Sequence, residues 1–378
     1  MSPARVPPLY IQHGWRDGVR SIFATRQEDG LPPNTADFFG QNAVPLDSGR
    51  SALTAALSVL PLPKKARIGV PVYTCSAVFD AIAAAGHIPV FLDIELDYYT
   101  IDPAPLAKIK DGLDALVAVH TFGHPFDFDA VRTACGDIPI IEDCAHAMTA
   151  EYKGKRIGSF GDAAIYSLRP GKLLGSGGGG MLVLRNPDLA KESSLESKMS
   201  HSSRGRLFIH YLQAMAGGML NRSLSALDSR PDSSHMKIGR MTPGDLALLE
   251  RRLPSLPSIV AAHRRNASAL LNALSGGTFQ LPLASRAVTH DYYLFALRFH
   301  SEDGRARAQA RLRRAGIGAF QLYRVALEKA RAHGYRGDCP NAETAARNVV
   351  MLPVHPKVSE VAIGLMSDQL SQFRDVDR

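Results

Sequence analysis

The sequence predicts an α/β protein. A large domain over residues 1–245 is built on a mostly parallel sheet, and a smaller carboxy-terminal α/β domain covers residues 246–378. Two observations predict it. Short apolar runs of strand length recur up to about residue 184 with helix-compatible segments between most of them, the pattern of a parallel sheet covered on both faces. From about residue 245 the pattern changes to long helix followed by isolated strands. In a sheet of the first kind the ligand site lies at the carboxyl ends of the strands.

The elements follow in order. SALTAALS (51–58) starts a helix directly after the turn Asp47–Ser48–Gly49. ARIGVPVY reads as a strand and VFDAIAAAG as a helix closed by Gly86. HIPVFLDI, DALVAVH and IPIIEDCAH read as strands, with PLAKIKDGL and FDAVRTACG as helices between them, and AAIYSL and GGMLVLR complete the set. Beyond them, LALLERRLPSLPSIVAAHRRNASALLNAL reads as long helix, YYLFALRF as a strand followed by a helix ending near Gly316, and SEVAIGLMSDQLSQF as the closing helix. No internal repeat is evident.

Composition narrows the function classes. Of 378 residues, 45% are hydrophobic and 21% charged, which is ordinary for a globular chain able to bury a large core without a staple. The net charge of +8 is spread rather than blocked, and the densest basic patches, His263–Arg264–Arg265 and Arg311–Arg313–Arg314, fall on amphipathic helices. With no zinc-finger, RRM or KH motif, nucleic acid is not the expected partner. Cys75, Cys135, Cys144 and Cys339 form no CxxC pair and no metal-ligand spacing, so no metal is expected. The first 20 residues lack the apolar core of a signal peptide, and the expected compartment is the cytoplasm.

The chemistry-bearing residues sit at predicted strand ends. Asp47–Ser48–Gly49–Arg50–Ser51 opens a helix: Ser48 can cap it, Gly49 lets the backbone approach a ligand, and the N–H groups of Arg50 and Ser51 point outward to a phosphate. Asp143 ends the strand IPIIED, where a buried carboxylate is costly unless paired, and His146 follows about one turn on. Ser167 ends the strand AAIYSL. Lys172 follows on a Pro–Gly turn ahead of the run Gly177–Gly180. Read singly, the first two are helix caps, the histidine is structural and the lysine is a solvated loop residue. Taken together they are the requirements of a pyridoxal 5'-phosphate (PLP) site: a phosphate cradle, a carboxylate for the pyridine nitrogen and an amine for a Schiff base.

These motifs resemble the DegT/StrS-type nucleotide-sugar aminotransferases, which have the aspartate-aminotransferase-like fold (PLP fold type I). The resemblance runs through SGRSALTAAL, VPVYTCSAVFDAIAAAGHIPVFLDIELDYYTID, VAVHTFGHPFDFDAV, IIEDCAHAMTAEYKGKRIGSFGDAAIYSLRPGK, LYRVALEKA and NVVMLPVHP. Its specific signature is ED-x-AH, G-S-x-GD and S-x-x-x-x-K in this order and spacing. The resemblance implies that Lys172 carries PLP and moves a proton between cofactor and substrate carbon. It implies Asp143 at the pyridinium nitrogen, His146 at the ring hydroxyl, Ser167 with the backbone of Gly49, Arg50 and Ser51 at the phosphate, and Tyr323 near the active site. It further implies a homodimer, with an amino-acid donor (glutamate by analogy) and a keto-sugar nucleotide as substrates.

The chain also departs from the family pattern. Cys75 stands where many members stack an aromatic ring on the cofactor, and Tyr73 or Phe79 is the expected replacement. Gly178 replaces a glutamate after the lysine. The family's Gly-x-Asn-x-Arg-Met appears as KIGRM, with Ile238 at the asparagine and Arg240 and Met241 retained. Arg50 replaces a common threonine. The stretch 191–237 is longer and more apolar than expected; residues about 204–228 read as a helix packing on a partner or over the site, in preference to a membrane surface. Two other readings stay open: a PLP-dependent sugar dehydratase or lyase on the same fold, against which Lys172 and the scattered cysteines argue, and a non-catalytic PLP-fold protein.

Overall fold

The structure is a computed structural model, and it describes residues 6–11, 14–24, 30–192, 195, 199–200 and 238–373. The segment 204–228 singled out above lies outside the described residues. Thirteen strands are described. In chain order they are β1 (Val44–Leu46), β2 (Arg67–Pro71), β3 (Ile88–Leu92), β4 (Ala115–Val119), β5 (Ile140–Asp143), β6 (Glu151–Tyr152) and β7 (Lys155–Arg156). After these come β8 (Ala163–Ser167), β9 (Gly180–Leu184), β10 (Phe279–Gln280), β11 (Val288–Thr289), β12 (Phe295–Phe299) and β13 (Val349–Leu352).

Seven of them form one sheet in the order β1-β9-β8-β5-β4-β2-β3. The pairs β2–β3, β2–β4, β4–β5 and β5–β8 are parallel, and β8–β9 and β1–β9 are antiparallel. The parallel centre explains the unbroken apolar runs: every residue of β4 is buried, because helices cover both faces. Two of the crossover helices start where the sequence supplies a cap. Asp102 accepts from Ala104 N–H ahead of Pro103–Ile109, and Asp127 from Ala130 N–H ahead of Phe128–Cys135. The helix Ser76–Ala84 closes at Gly86, with His87 N–H donating to Ile82 O at 3.1 Å.

The later part of the chain forms an antiparallel sheet, β10-β12-β13, packed by the helices Leu256–Ala273, Glu302–Arg314 and Glu360–Leu370 around Leu270, Phe295, Leu297, Leu312 and Met366. A third small sheet, β11-β6-β7, pairs Val288 with Tyr152 and so stitches residues after 245 to those before it. At the amino end, Val6 lies beside Ile317, and Pro7 O accepts from His355 Nε2–H at 2.9 Å.

One element differs from expectation. The long helix expected from about residue 245 is two helices, Pro243–Arg252 and Leu256–Ala273, joined by the 3-10 turn Leu253–Ser255. Pro254 and Pro257 have no N–H to bond back into the preceding turn, so the ladder cannot run through them.

Gly180 is where the fold has no room for a side chain. A Cβ there would lie 2.4 Å from the carbonyl of Ser48, pushing the start of the helix Gly49–Val59 off the sheet. Gly364, inside the helix Glu360–Leu370, faces open space. Gly180→Ala is therefore expected to lower stability by about 1–3 kcal/mol, and Gly364→Ala to raise it by about 0.5–1 kcal/mol, in urea unfolding curves.

Candidate active site

Because β2, β4, β5 and β8 run parallel, their carboxyl ends share one edge, and the chain leaves each through a segment carrying polar or aromatic groups. Ser48 caps the helix Gly49–Val59, accepting from Ser51 N–H at 3.1 Å and donating to Asp47 Oδ1 at 3.0 Å; Ser51 Oγ donates to the same oxygen at 2.5 Å. A Cβ on Gly49 would lie 3.0 Å from Ser167 Cβ, so the end of β8 sits against this first turn. The N–H of Ser51 is thus spent on the cap rather than pointing outward. Gly49 and Arg50, as the first helical residues, have N–H groups without an intrahelical acceptor. The Arg50 side chain is half-buried, its Nε makes no hydrogen bond, and its charge reaches Asp80, whose carboxyl is held low first by a hydrogen bond from His333 and further by Arg50.

Asp143 is 4% exposed at the end of β5 and accepts a hydrogen bond from Ala145 N–H at 2.9 Å. Burial pushes its pKa above the usual carboxylate range, although Ala145 and the charges of Lys172 and His120 pull the other way. A buried carboxylate so thinly supported fits a protonated pyridine nitrogen, and the Gly49–Ser167 contact brings together the two elements expected to hold the phosphate. On these two observations the residues fit PLP.

His146 is buried, and its pKa is driven well below the usual value by burial first, then by the charges of Lys172 and Arg169. It is therefore neutral. Phe122 N–H donates to Nδ1 at 3.3 Å, so the proton resides on Nε2, which donates to the Tyr323 hydroxyl oxygen at 3.2 Å. Tyr323 keeps its own proton, since burial pushes its pKa far up. It holds a left-handed backbone (φ 66°) ahead of the helix Arg324–Ala332.

Lys172 is half-buried on the turn after Pro170–Gly171, with Nζ 5.2 Å from the centroid of the Tyr293 ring. A small pocket beside it is walled by Leu9, Tyr10, His263, Tyr293 and His355 among others.

The remaining expectations resolve as follows. Cys75 is half-buried at the start of the helix Ser76–Ala84, close enough for its charge to raise Tyr323. Tyr73 lies edge-on to Tyr323 (5.1 Å) and Phe122 (6.1 Å), fully buried with its hydroxyl unbonded. Phe79 packs on Phe91 and His333 instead, so Tyr73 is the nearer of the two to the site. Arg240 pairs with Leu46 and bonds Ser200 O, which puts its backbone beside β1, behind the cradle. Ile238 packs on the main core, and Gly178 O accepts from Ser176 Oγ at 2.9 Å.

Sequence reasoning missed Phe122, Tyr293, His263, Tyr10 and the role of Glu142. Phe122 follows β4 in a left-handed conformation (φ 57°) and lies nearly parallel to His146 and Tyr323. The only local signal was HTFGHP, an aromatic before a glycine at a strand end. Glu142 accepts from the N–H groups of Gly158, Phe160 and Gly161 at 2.7–2.8 Å and from His120 Nε2–H at 3.1 Å. His120, Glu142 and Cys144 are near enough for a metal, but both carboxylate oxygens are already occupied by these donors.

The buried histidines set the pH response of the apoprotein. Burial holds His146 and His290 well below the usual value and His124 and His263 at about 4. The unfolded chain takes up protons below about pH 6.5 that the folded chain refuses, so stability falls as pH falls. Each contributes a slope of up to about 1.4 kcal/mol per pH unit between roughly 6.5 and its folded value. Thermal midpoints measured from pH 7.5 to 5 are expected to drop steadily; a flat profile would contradict neutral burial.

Comparison with known proteins agrees with this geometry. The model of the DegT/DnrJ/EryC1/StrS aminotransferase family matches residues 33–369. The UDP-N-acetyl-3-dehydro-alpha-D-glucosamine 3-aminotransferase of Acidithiobacillus ferrooxidans is 29% identical, over 84% of this chain and 80% of its own. The dTDP-3-amino-3,4,6-trideoxy-alpha-D-glucose transaminase of Streptomyces venezuelae is 31% identical, over 83% and 78%. A crystal structure of DesV from S. venezuelae, in complex with a ketimine intermediate, superposes with a TM-score of 0.73 at 28% identity, covering 96% of this chain and 94% of that one. The chain belongs to the DegT/DnrJ/EryC1/StrS aminotransferase family and is a PLP-dependent aminotransferase of the aspartate-aminotransferase-like fold.

Proposed function

We propose that the protein transfers an amino group from an amino acid, glutamate by analogy, to a keto-sugar nucleotide. The observation that carries this reading is the meeting of Lys172, Asp143, His146 and the Gly49–Ser167 contact at one edge of the sheet. The sugar nucleotide is supported by the relatives' names and by a net charge of +8, which favours anionic substrates.

PLP bound here supplies an electron-withdrawing ring that makes the substrate's carbon acidic. The chain's own groups then divide the work. Lys172 bonds the cofactor and moves the proton at the substrate carbon. Asp143 holds the proton at the ring nitrogen. His146 orients Tyr323 and faces the ring hydroxyl. Ser167 and the N–H groups of Gly49 and Arg50 hold the phosphate, with Ser51 fixing their turn. Cys75 would lie beside the ring, and Tyr323 and Arg240 would contact the substrate.

The same proposal includes a homodimer, a cytoplasmic location, a cofactor-binding part over residues 1–245 and a smaller part over 246–378. No helix among the described residues is long and apolar enough to cross a membrane.

The test is the near-visible absorption spectrum of the protein with PLP, before and after glutamate, alongside Lys172→Ala. The expected result is a band that Lys172→Ala lacks and that glutamate bleaches in the wild type, followed by amination of a keto-sugar nucleotide. A band unresponsive to every amino donor would contradict transamination, and no Lys172-dependent band would remove Lys172 from its role.

A further inference from the structure

We propose that Tyr293 is a positioning residue for Lys172: its ring face holds the lysine's protonated amine whenever that amine is not bonded to the cofactor. The inference rests on the function proposed above and concerns a residue that carried no signal in the sequence. Lys172 Nζ lies over the Tyr293 ring at 5.2 Å, within the range in which a cation is attracted to an aromatic face. The ring is 6% exposed, so the attraction is little diluted by water.

The ring is also held in place. A Cβ on Gly123 would lie 3.0 Å from Tyr293 N, so the loop after β4 presses directly on the Tyr293 backbone. Leu294 N–H donates to Phe122 O at 3.4 Å, and β12 begins at the next residue. The ring centroid also lies 4.8 Å from that of His146. Tyr293 thus spans the small sheet, the loop after β4 and the histidine. Lys172 and Tyr293 also line one small pocket together with Gly171 and Leu173 of the lysine's own turn.

The charges around the amine favour this resting place. Burial keeps His146, His263 and His355 from protonating, so they add no positive charge there. Arg169, on the lysine's own turn, is a like charge. Asp143 is attractive and buried at the end of β5. Tyr10 lines the same pocket. Tyr293 and Asp143 therefore both attract the ammonium.

The test reads the amine before any turnover. Apoprotein is mixed with PLP over a pH series, and the rate at which the Lys172-dependent band appears is measured for wild type, Tyr293→Phe and Tyr293→Leu. Free amine forms the bond, so the rising limb of the rate against pH marks the loss of the proton. The expected result is an unmoved limb in Tyr293→Phe and one shifted down by about 0.5–1 pH unit in Tyr293→Leu.

Phenylalanine and its difluoro and pentafluoro analogues, introduced at position 293, keep the shape while draining the ring face of charge. They should shift the limb stepwise, and they carry the test if Tyr293→Leu does not fold. Coincident limbs for wild type and the pentafluoro analogue would overturn the proposal, as would a Tyr293→Phe shift equal to that of Tyr293→Leu. Absence of the band in the wild type would instead overturn the role of Lys172.

Discussion

Two adjacent buried carboxylates at the end of β5 organise the molecule. Neighbouring residues of a strand point to opposite faces, so Glu142 and Asp143 enter different surroundings. Burial alone pushes Glu142 up, but hydrogen bonds from His120 and from the Gly161 and Gly158 amides more than offset this and hold it below the usual carboxylate range. In return it fixes the loop 158–161 that leads into β8, and hence the position of Ser167 and the lysine turn beyond. Asp143 receives far less support and stays raised. One carboxylate is spent on structure, and the other is left short of a partner, which suits the role proposed for it at the cofactor ring.

From that edge the site is assembled by close approach. Gly180 has no space for a Cβ against Ser48, and Gly49 almost none against Ser167. The helix start is thereby pressed onto β8 and β9, and the cap Ser48 settles which N–H groups remain for a phosphate. His146 works in the same way on the opposite side. The Phe122 amide fixes its tautomer, which fixes the direction of its bond to Tyr323. An imidazole that burial keeps neutral can transmit orientation without adding a charge beside Lys172.

Much of this was legible in the chain. Asp143, His146, Ser167 and Lys172 each carry a local signature, a strand end or a Pro–Gly turn, and the parallel sheet that gathers strand ends on one edge follows from the alternation of runs. The break at Pro254 is written there too, although the apolar period continues across it. The wall of the lysine cavity was not legible. Tyr10, His263, Tyr293 and His355 lie on a terminal segment, a helix and two loops far apart in sequence, and no local period announces that they converge. Tyr73 and Phe79 were equally plausible as neighbours of the cofactor ring; only packing separates them, since Phe79 turns toward Phe91.

The central claim is that Asp143 is raised and under-supported because it is built to hold a proton on the cofactor ring. The most direct measurement is the nitrogen NMR shift of PLP labelled at its pyridine nitrogen, bound to the wild type and to Asp143→Asn. The account predicts a protonated nitrogen in the wild type across neutral pH and an unprotonated one in Asp143→Asn. An unprotonated nitrogen in the wild type, or no difference between the two proteins, would contradict it.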